Sequence, residues 1–187
     1  MYHLTRALDP ERLVIGNDGW EQPVTDVVTV HDYTSRGQAL RDRYGTRAAL
    51  AETLAHIQPL HRDILLPGAS GTAVPVVISE FGGISYDSDR REGWSGYGTV
   101  GTPEGLLEGY ADLVGALLSS SVLAGFCWTQ LTDTQQERNG LVTSARTPKV
   151  PLDQIRAVTT RLSAAVAGDE VNESAYGDSV NAPLPHD

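Results

Sequence analysis

Val74-Pro75-Val76-Val77-Ile78-Ser79-Glu80-Phe81-Gly82-Gly83 is an apolar, β-branched run that ends on a carboxylate, an aromatic ring and two glycines. Such a run reads as a strand over Val74–Ser79, buried on both faces as in a parallel sheet. Glu80 then stands where that strand ends. A surface or helix-capping Glu is the plain alternative, but such a residue seldom follows five apolar β residues. The two glycines after it permit close approach of backbone or ligand.

The same grammar recurs on either side. Leu13–Gly16 and Asp26–His31 read as earlier strands, and Val122–Trp128 as a later one. Between them lie helical stretches over Arg36–Tyr44 and Arg47–Ile57. Thr102-Pro103-Glu104 combines a hydroxyl cap, proline at the first helical position and an acid in the first turn. That start predicts a helix to about Ser119, with Leu106, Leu107, Tyr110, Leu113, Val114 and Leu117 on its buried face. A last helix begins near Pro151 and carries Leu152, Ile155, Val158, Leu162 and Val166. Residues 169–187 read as a disordered acidic and polar tail.

Alternating strands and helices indicate a parallel α/β architecture. Each strand ends in polar or aromatic residues: Asn17-Asp18-Gly19-Trp20, His31-Asp32-Tyr33, Glu80-Phe81-Gly82-Gly83 and Trp128-Thr129-Gln130. In a β/α barrel those C-terminal ends build the active site. Four strands are half of the eight that a barrel needs, and Met1–Leu8 resembles the end of a helix. The expected fold is therefore the C-terminal half of a (β/α)8 TIM barrel, strands five to eight, over residues 1–168. An open nucleotide-binding sheet is disfavoured because no Gly-rich phosphate loop follows the first strand.

The 187 residues carry a formal charge of -10, which argues against a nucleic-acid partner. No apolar run is long enough to span a bilayer, and Met1–Arg6 lacks the features of a signal peptide, so no membrane partner and a cytoplasmic location are expected. Cys127 is the sole cysteine. Cysteine and histidine are too scattered for a zinc site, and neither metal nor cofactor is expected.

Val76–Gly83 resembles the nucleophile strand of glycoside hydrolase family 2, the β-galactosidase and β-glucuronidase group. Phe126–Asp133 with Gln136–Leu141 resembles that family's last barrel strand and its loop. Asn17–Glu21 and His31–Tyr33 resemble the ends of its fifth and sixth strands, in the right order. The resemblance implies a retaining hydrolase of β-glycosides in carbohydrate metabolism, with Glu80 as nucleophile. Tyr33 matches a position whose hydroxyl hydrogen-bonds that nucleophile; a rim aromatic that merely packs is the alternative. Trp128 matches a platform under the sugar, or else is a core indole.

His31 and Asp32 match substrate-binding positions, or else pair with each other or cap a loop. Asn17, Asp18 and Trp20 line the same rim, although Asp18-Gly19 equally suits a simple turn. Trp94 and Tyr97 fall in the loop after Glu80. The departure from the family is the general acid/base: its Asn-Glu strand end is missing, and Asn172-Glu173 lies in the tail. The chain is thus expected to be a fragment, inactive or nearly so alone, and prone to self-association or pairing with the missing half-barrel. A non-catalytic carbohydrate-binding or half-barrel assembly module is the competing expectation.

Overall fold

The computed structural model describes residues 1–57, 59, 63–69, 74–86 and 98–165. The expected tail over 169–187, Val166, and the loop aromatics Trp94 and Tyr97 lie outside the described residues. In chain order the elements are α1 (Tyr2–Leu8), β1 (Val28–Asp32), α2 (Gly37–Tyr44), α3 (Arg47–Glu52) continuing into a wider π turn over Thr53–Ile57, and β2 (Val76–Gly82). They are followed by the short β3 (Ile84–Ser85) and β4 (Gly98–Thr99), then α4 (Pro103–Leu118), β5 (Gly125–Thr129) and α5 (Leu152–Thr159).

β2 is the central strand of a parallel sheet ordered β1-β2-β5. β3 and β4 pair separately, also in parallel. The fold is thus a small α/β domain of parallel strands and covering helices, compatible with a partial barrel. No helix among the described residues is long and apolar enough to cross a membrane.

The helices follow from their caps and apolar spacing. Thr102 Oγ1 accepts the Gly105 amide at the start of α4, as its sequence predicts, and Thr46 Oγ1 accepts that of Ala49 at the start of α3. Leu106, Tyr110, Leu113, Val114 and Leu117 of α4 are buried, and Leu107 is packed at the margin of the same core. That core unites α4 with Leu40 and Tyr44 of α2 and with Val76, Ile78 and Phe81 of β2. α5 ends at Thr159, short of the expected Leu162, and keeps only part of its face: Val158 is buried and Ile155 half-buried, whereas Leu152, and Leu162 beyond the helix, are 53% and 77% exposed.

The expected strand over Leu13–Gly16 is absent, so among the described residues the sheet has three strands rather than four. Its backbone is held by Thr25 and Asp26 instead of a neighbouring strand. Val14 N–H donates to Asp26 Oδ2 at 2.8 Å, Asp26 N–H returns to the Val14 carbonyl at 3.0 Å, and Gly16 N–H donates to Thr25 Oγ1 at 3.3 Å. With no sheet partner to cover them, Leu13 and Ile15 stay 69% and 47% exposed.

β2 contains the irregularity that positions the site. Val30 lies opposite Ile78, but His31 lies opposite Glu80; on the other side Ile78 pairs with Phe126 and Phe81 with Trp128. One extra residue is therefore inserted in β2 around Ser79-Glu80, a β-bulge shared by both ladders. Ile78 and Phe81, three positions apart, both face the helices and are fully buried. Strict alternation would have sent Glu80 into that same apolar layer. The bulge instead places it on the opposite face of the sheet.

Candidate active site

Glu80, at the C-terminal end of β2, is about one-third exposed. The Tyr33 hydroxyl, just beyond β1, donates a hydrogen bond to Glu80 Oε2. His31 Nδ1 stands 3.6 Å from the same oxygen. On the far side of the ring, His31 Nε2 is 3.2 Å from Asp18 Oδ2. Asp18, His31, Glu80 and Tyr33 thus form one continuous polar line across the ends of adjacent parallel strands.

A tight turn brings Asp18 into that line. Asn17 Nδ2 donates to the Glu21 carbonyl at 3.1 Å, closing the turn over these residues. Gly19 has φ +70°, and its amide donates to Thr29 Oγ1 at 2.9 Å. Its Cα lies flat against His31: a β-carbon there would stand only 2.0 Å from the imidazole. Trp20 places its ring edge-on to His31 with centroids 5.5 Å apart. The buried Gln22 side chain donates to the Thr29 carbonyl at 2.8 Å and so fastens the turn's exit to β1.

Burial alone would raise the Asp18 pKa. Polar contacts with Ser79, His31 and Thr29, and the attraction of His31, outweigh it and hold this carboxyl below its ordinary value. The Ser79 contact is loose, since its buried hydroxyl completes no well-formed hydrogen bond among the described residues. Asp18 is therefore a carboxylate at neutral pH.

Two of the sequence-derived candidates stand apart from this cluster. Asp32 is buried and faces α2: Arg43 Nη1 lies 2.7 Å from both carboxylate oxygens, Tyr44 donates its hydroxyl at 2.8 Å, and the Thr34 amide donates at 3.1 Å. Burial and the neighbouring Asp32 charge push the Tyr44 pKa well above its usual value, so Tyr44 remains a donor. Asp32 caps the loop and ties β1 to α2. Trp128 lies between Phe81 and Tyr110, with ring centroids 5.3 and 4.8 Å away, and packs over Gly82. Its indole N–H is buried without a partner among the described residues. The ring is thus partly buried at the margin of the core.

The residue on β5 that shares a face with Glu80 is Cys127. It alternates with Phe126 and Trp128, both of which turn toward Phe81, and it is exposed. Behind β5, an arrangement not singled out from sequence orders the chain over 130–150. Buried Lys149 Nζ donates to Asp133 Oδ1 at 2.8 Å and to the carbonyls of Tyr86 and Arg138 at 2.8 and 2.7 Å. Asp133 Oδ1 also accepts the Gly140 amide, and Gln130 Nε2 donates to buried Asn139. Lys149 fastens this loop to the segment that leaves β3. The only local hint is a lysine between Pro148 and Val150-Pro151, which nothing else distinguishes. Among the described residues, no group of three or more His, Cys, Asp or Glu is arranged to hold a metal ion.

No protein-family model matches the sequence, and no curated protein matches it either. Solved structures do resemble the fold. The glycoside hydrolase family 2 β-galacturonidase from Eisenbergiella tayi, bound to glycerol, superposes with a TM-score of 0.53 at 17% identity over 84% of this chain and 28% of its own. The same enzyme bound to galacturonate gives 0.52 at 16% identity over 87% of this chain and 30% of its own. The β-D-glucuronidase of Dictyoglomus thermophilum gives 0.50 at 18% identity over 86% of this chain and 28% of its own. The chain therefore spans less than a third of the length of each of these structures. At such identities the likeness is one of fold, and that fold is glycosidase-like.

Proposed function

We propose that this chain carries the nucleophile side of a retaining β-glycosidase site, with Glu80 as the nucleophile. The observation that carries the reading is the hydrogen bond from Tyr33 to a bulge-presented carboxylate at the ends of two parallel strands. A glycosidase nucleophile must be ionised, fixed and open to the substrate. Tyr33 holds Oε2, and His31 lies against that same oxygen, so Oε1 is the oxygen turned to the sugar. Asn17, Asp18, Trp20 and His31 form the rim around it.

In the reaction, Oε1 forms a bond to the anomeric carbon as the glycosidic C–O bond breaks. The departing alkoxide takes a proton from a general acid. Water then attacks the glycosyl ester, gives up a proton to that same group, and releases the sugar with retained configuration and Glu80 as carboxylate. General-acid help is worth roughly 10²–10⁴ in rate. The carboxyl nearest Glu80 along the polar line is Asp18, with the whole imidazole of His31 between them. It is poorly placed for that task, so a proton donor outside the described cluster is required.

The test uses an activated 2-deoxy-2-fluoro-glycoside, whose leaving group departs without a proton. Galacturonide, glucuronide and galactoside probes are the first set, the two uronides because structural neighbours are a β-galacturonidase and a β-D-glucuronidase. Mass spectrometry is expected to find the glycosyl adduct on Glu80, and Glu80→Gln to abolish it. Folded wild-type protein that takes up none of the probes would sink the reading.

The assembly reading draws support from β5, the last strand of the sheet. Among the described residues no strand pairs with its far edge, and Cys127 lies exposed beside it. An uncovered parallel edge invites another chain. Sedimentation velocity is expected to show concentration-dependent self-association; a strictly monomeric boundary at all concentrations would count against it.

A further inference from the structure

We infer that Asp18 is a positioning residue that sets the tautomer of His31, and with it the second hydrogen bond available to Glu80. The inference rests on the nucleophile reading above, but its geometry stands independently. His31 is buried, with 8% exposure, and each ring nitrogen faces a different carboxylate. Nε2 is at hydrogen-bond distance from Asp18 Oδ2, 3.2 Å, whereas Nδ1 is 3.6 Å from Glu80 Oε2, beyond it. A neutral imidazole carries one N–H, and the closer acceptor takes it. The proton therefore resides on Nε2, and Nδ1 turns a lone pair toward Glu80.

The rest of the turn locks that choice. Gly19 presses on the ring face closely enough to prevent a side chain there, and its amide is tied to Thr29. Trp20 and Tyr33 flank the imidazole edge-on, at 5.5 and 6.2 Å between centroids. A ring held this way cannot flip to exchange its nitrogens without opening the turn. Two acceptors, Nδ1 and Oε2, then stand 3.6 Å apart, too close to hold a donor atom between them and open only to one that lies to the side of the pair. Tyr33 is then the donor to the nucleophile within this cluster. Without Asp18 the imidazole proton would move to Nδ1 and point at Oε2, the oxygen Tyr33 already holds, drawing charge away from the carboxylate that attacks through Oε1.

Nitrogen-15 NMR of the histidine ring reads the tautomer directly and needs no sugar. His31→Gln identifies the His31 signals among those of the five histidines. At a pH where the ring is neutral, wild type is expected to show N–H on Nε2. Asp18→Ala is expected to move it to Nδ1, and Asp18→Asn, which keeps an acceptor oxygen, to leave it in place. Labelling of Glu80 by the fluoro-glycoside is expected to slow about 10-fold in Asp18→Ala and much less in Asp18→Asn.

N–H on Nδ1 in the wild type overturns the inference without any variant. So does an Nε2–H tautomer that persists in folded Asp18→Ala. Should Asp18→Ala fail to fold, Asp18→Leu, similar in shape and without an acceptor, takes its place: an Nε2–H tautomer that persists there overturns the inference. The expected tautomers with no labelling of wild type would uphold the Asp18–His31 lock and overturn the glycosidase reading instead.

Discussion

Replacing Lys149 with methionine is expected to lower the unfolding free energy by about 3–5 kcal/mol, the cost of leaving a buried charge without its partner. Lys149 and Asp133 are both almost fully buried, at 5% and 3% side-chain exposure. The methionine would strand the Asp133 carboxylate and two backbone carbonyls, those of Tyr86 and Arg138. The double variant Lys149→Met with Asp133→Leu should recover part of the loss, because no isolated charge then remains. It should not recover all of it, since Gly140 N–H still loses its acceptor. Urea melts of the three proteins check this. A single variant within about 0.5 kcal/mol of wild type, the range of ordinary surface changes, would show that the 130–150 loop does not depend on this clamp.

Gly82→Ala is expected to cost on the order of 3 kcal/mol, from two sources that separate experimentally. Gly82 has φ +97°, where an L side chain is strained by about 1–3 kcal/mol. Its new β-carbon would also lie 2.6–2.7 Å from three atoms of the Trp128 ring, which is wedged against Phe81 and Tyr110 and has little room to retreat. Gly68→Ala isolates the first source: Gly68 has φ +86° but no described atom within 4 Å of the added carbon. Denaturation of both variants should show Gly82→Ala as the larger loss. Equal losses would mean that Trp128 moves aside freely. Because Trp128 packs under the strand that carries Glu80, near-ultraviolet circular dichroism should change in Gly82→Ala and stay unchanged in Gly68→Ala.

The glycines after Glu80 illustrate how far a sequence reading reaches. Two glycines behind a strand-end carboxylate announce close approach, and they do permit it. What approaches Gly82, however, is an indole of the chain itself. Trp128 reads equally well as sugar platform or core residue, because a tryptophan at a strand end carries no mark of which face it occupies. In the structure the ring packs against Tyr110 on α4 and is only partly buried. Asp32 is similar: its position beside His31 and Tyr33 suggests the rim, but Arg43 and Tyr44, eleven and twelve residues on, bring α2 against it.

The elements themselves were written locally. The Thr102-Pro103 start, the apolar spacing of α4, and the β-branched runs around Val30 and Val77 predict helix and strand correctly, since caps and side-chain periodicity act within a few residues. The failure over Leu13–Gly16 has an equally plain cause: a strand exists only if something pairs with it, and Asp26 and Thr25 intercept that backbone first.

The site required the tertiary structure. By strict alternation Glu80 belongs to the same face as Val76 and Ile78, deep under the helices. Ile78 and Phe81 are three residues apart, and both must be buried against Phe126, Trp128 and α4. A regular strand cannot place residues three apart on one face, so β2 accommodates an extra residue between them. The spacing of Ile78 and Phe81 around polar Ser79-Glu80 is the one trace of this in the sequence. The residues of the candidate site can therefore be named from the chain, but their common face was decided by the burial of two apolar neighbours.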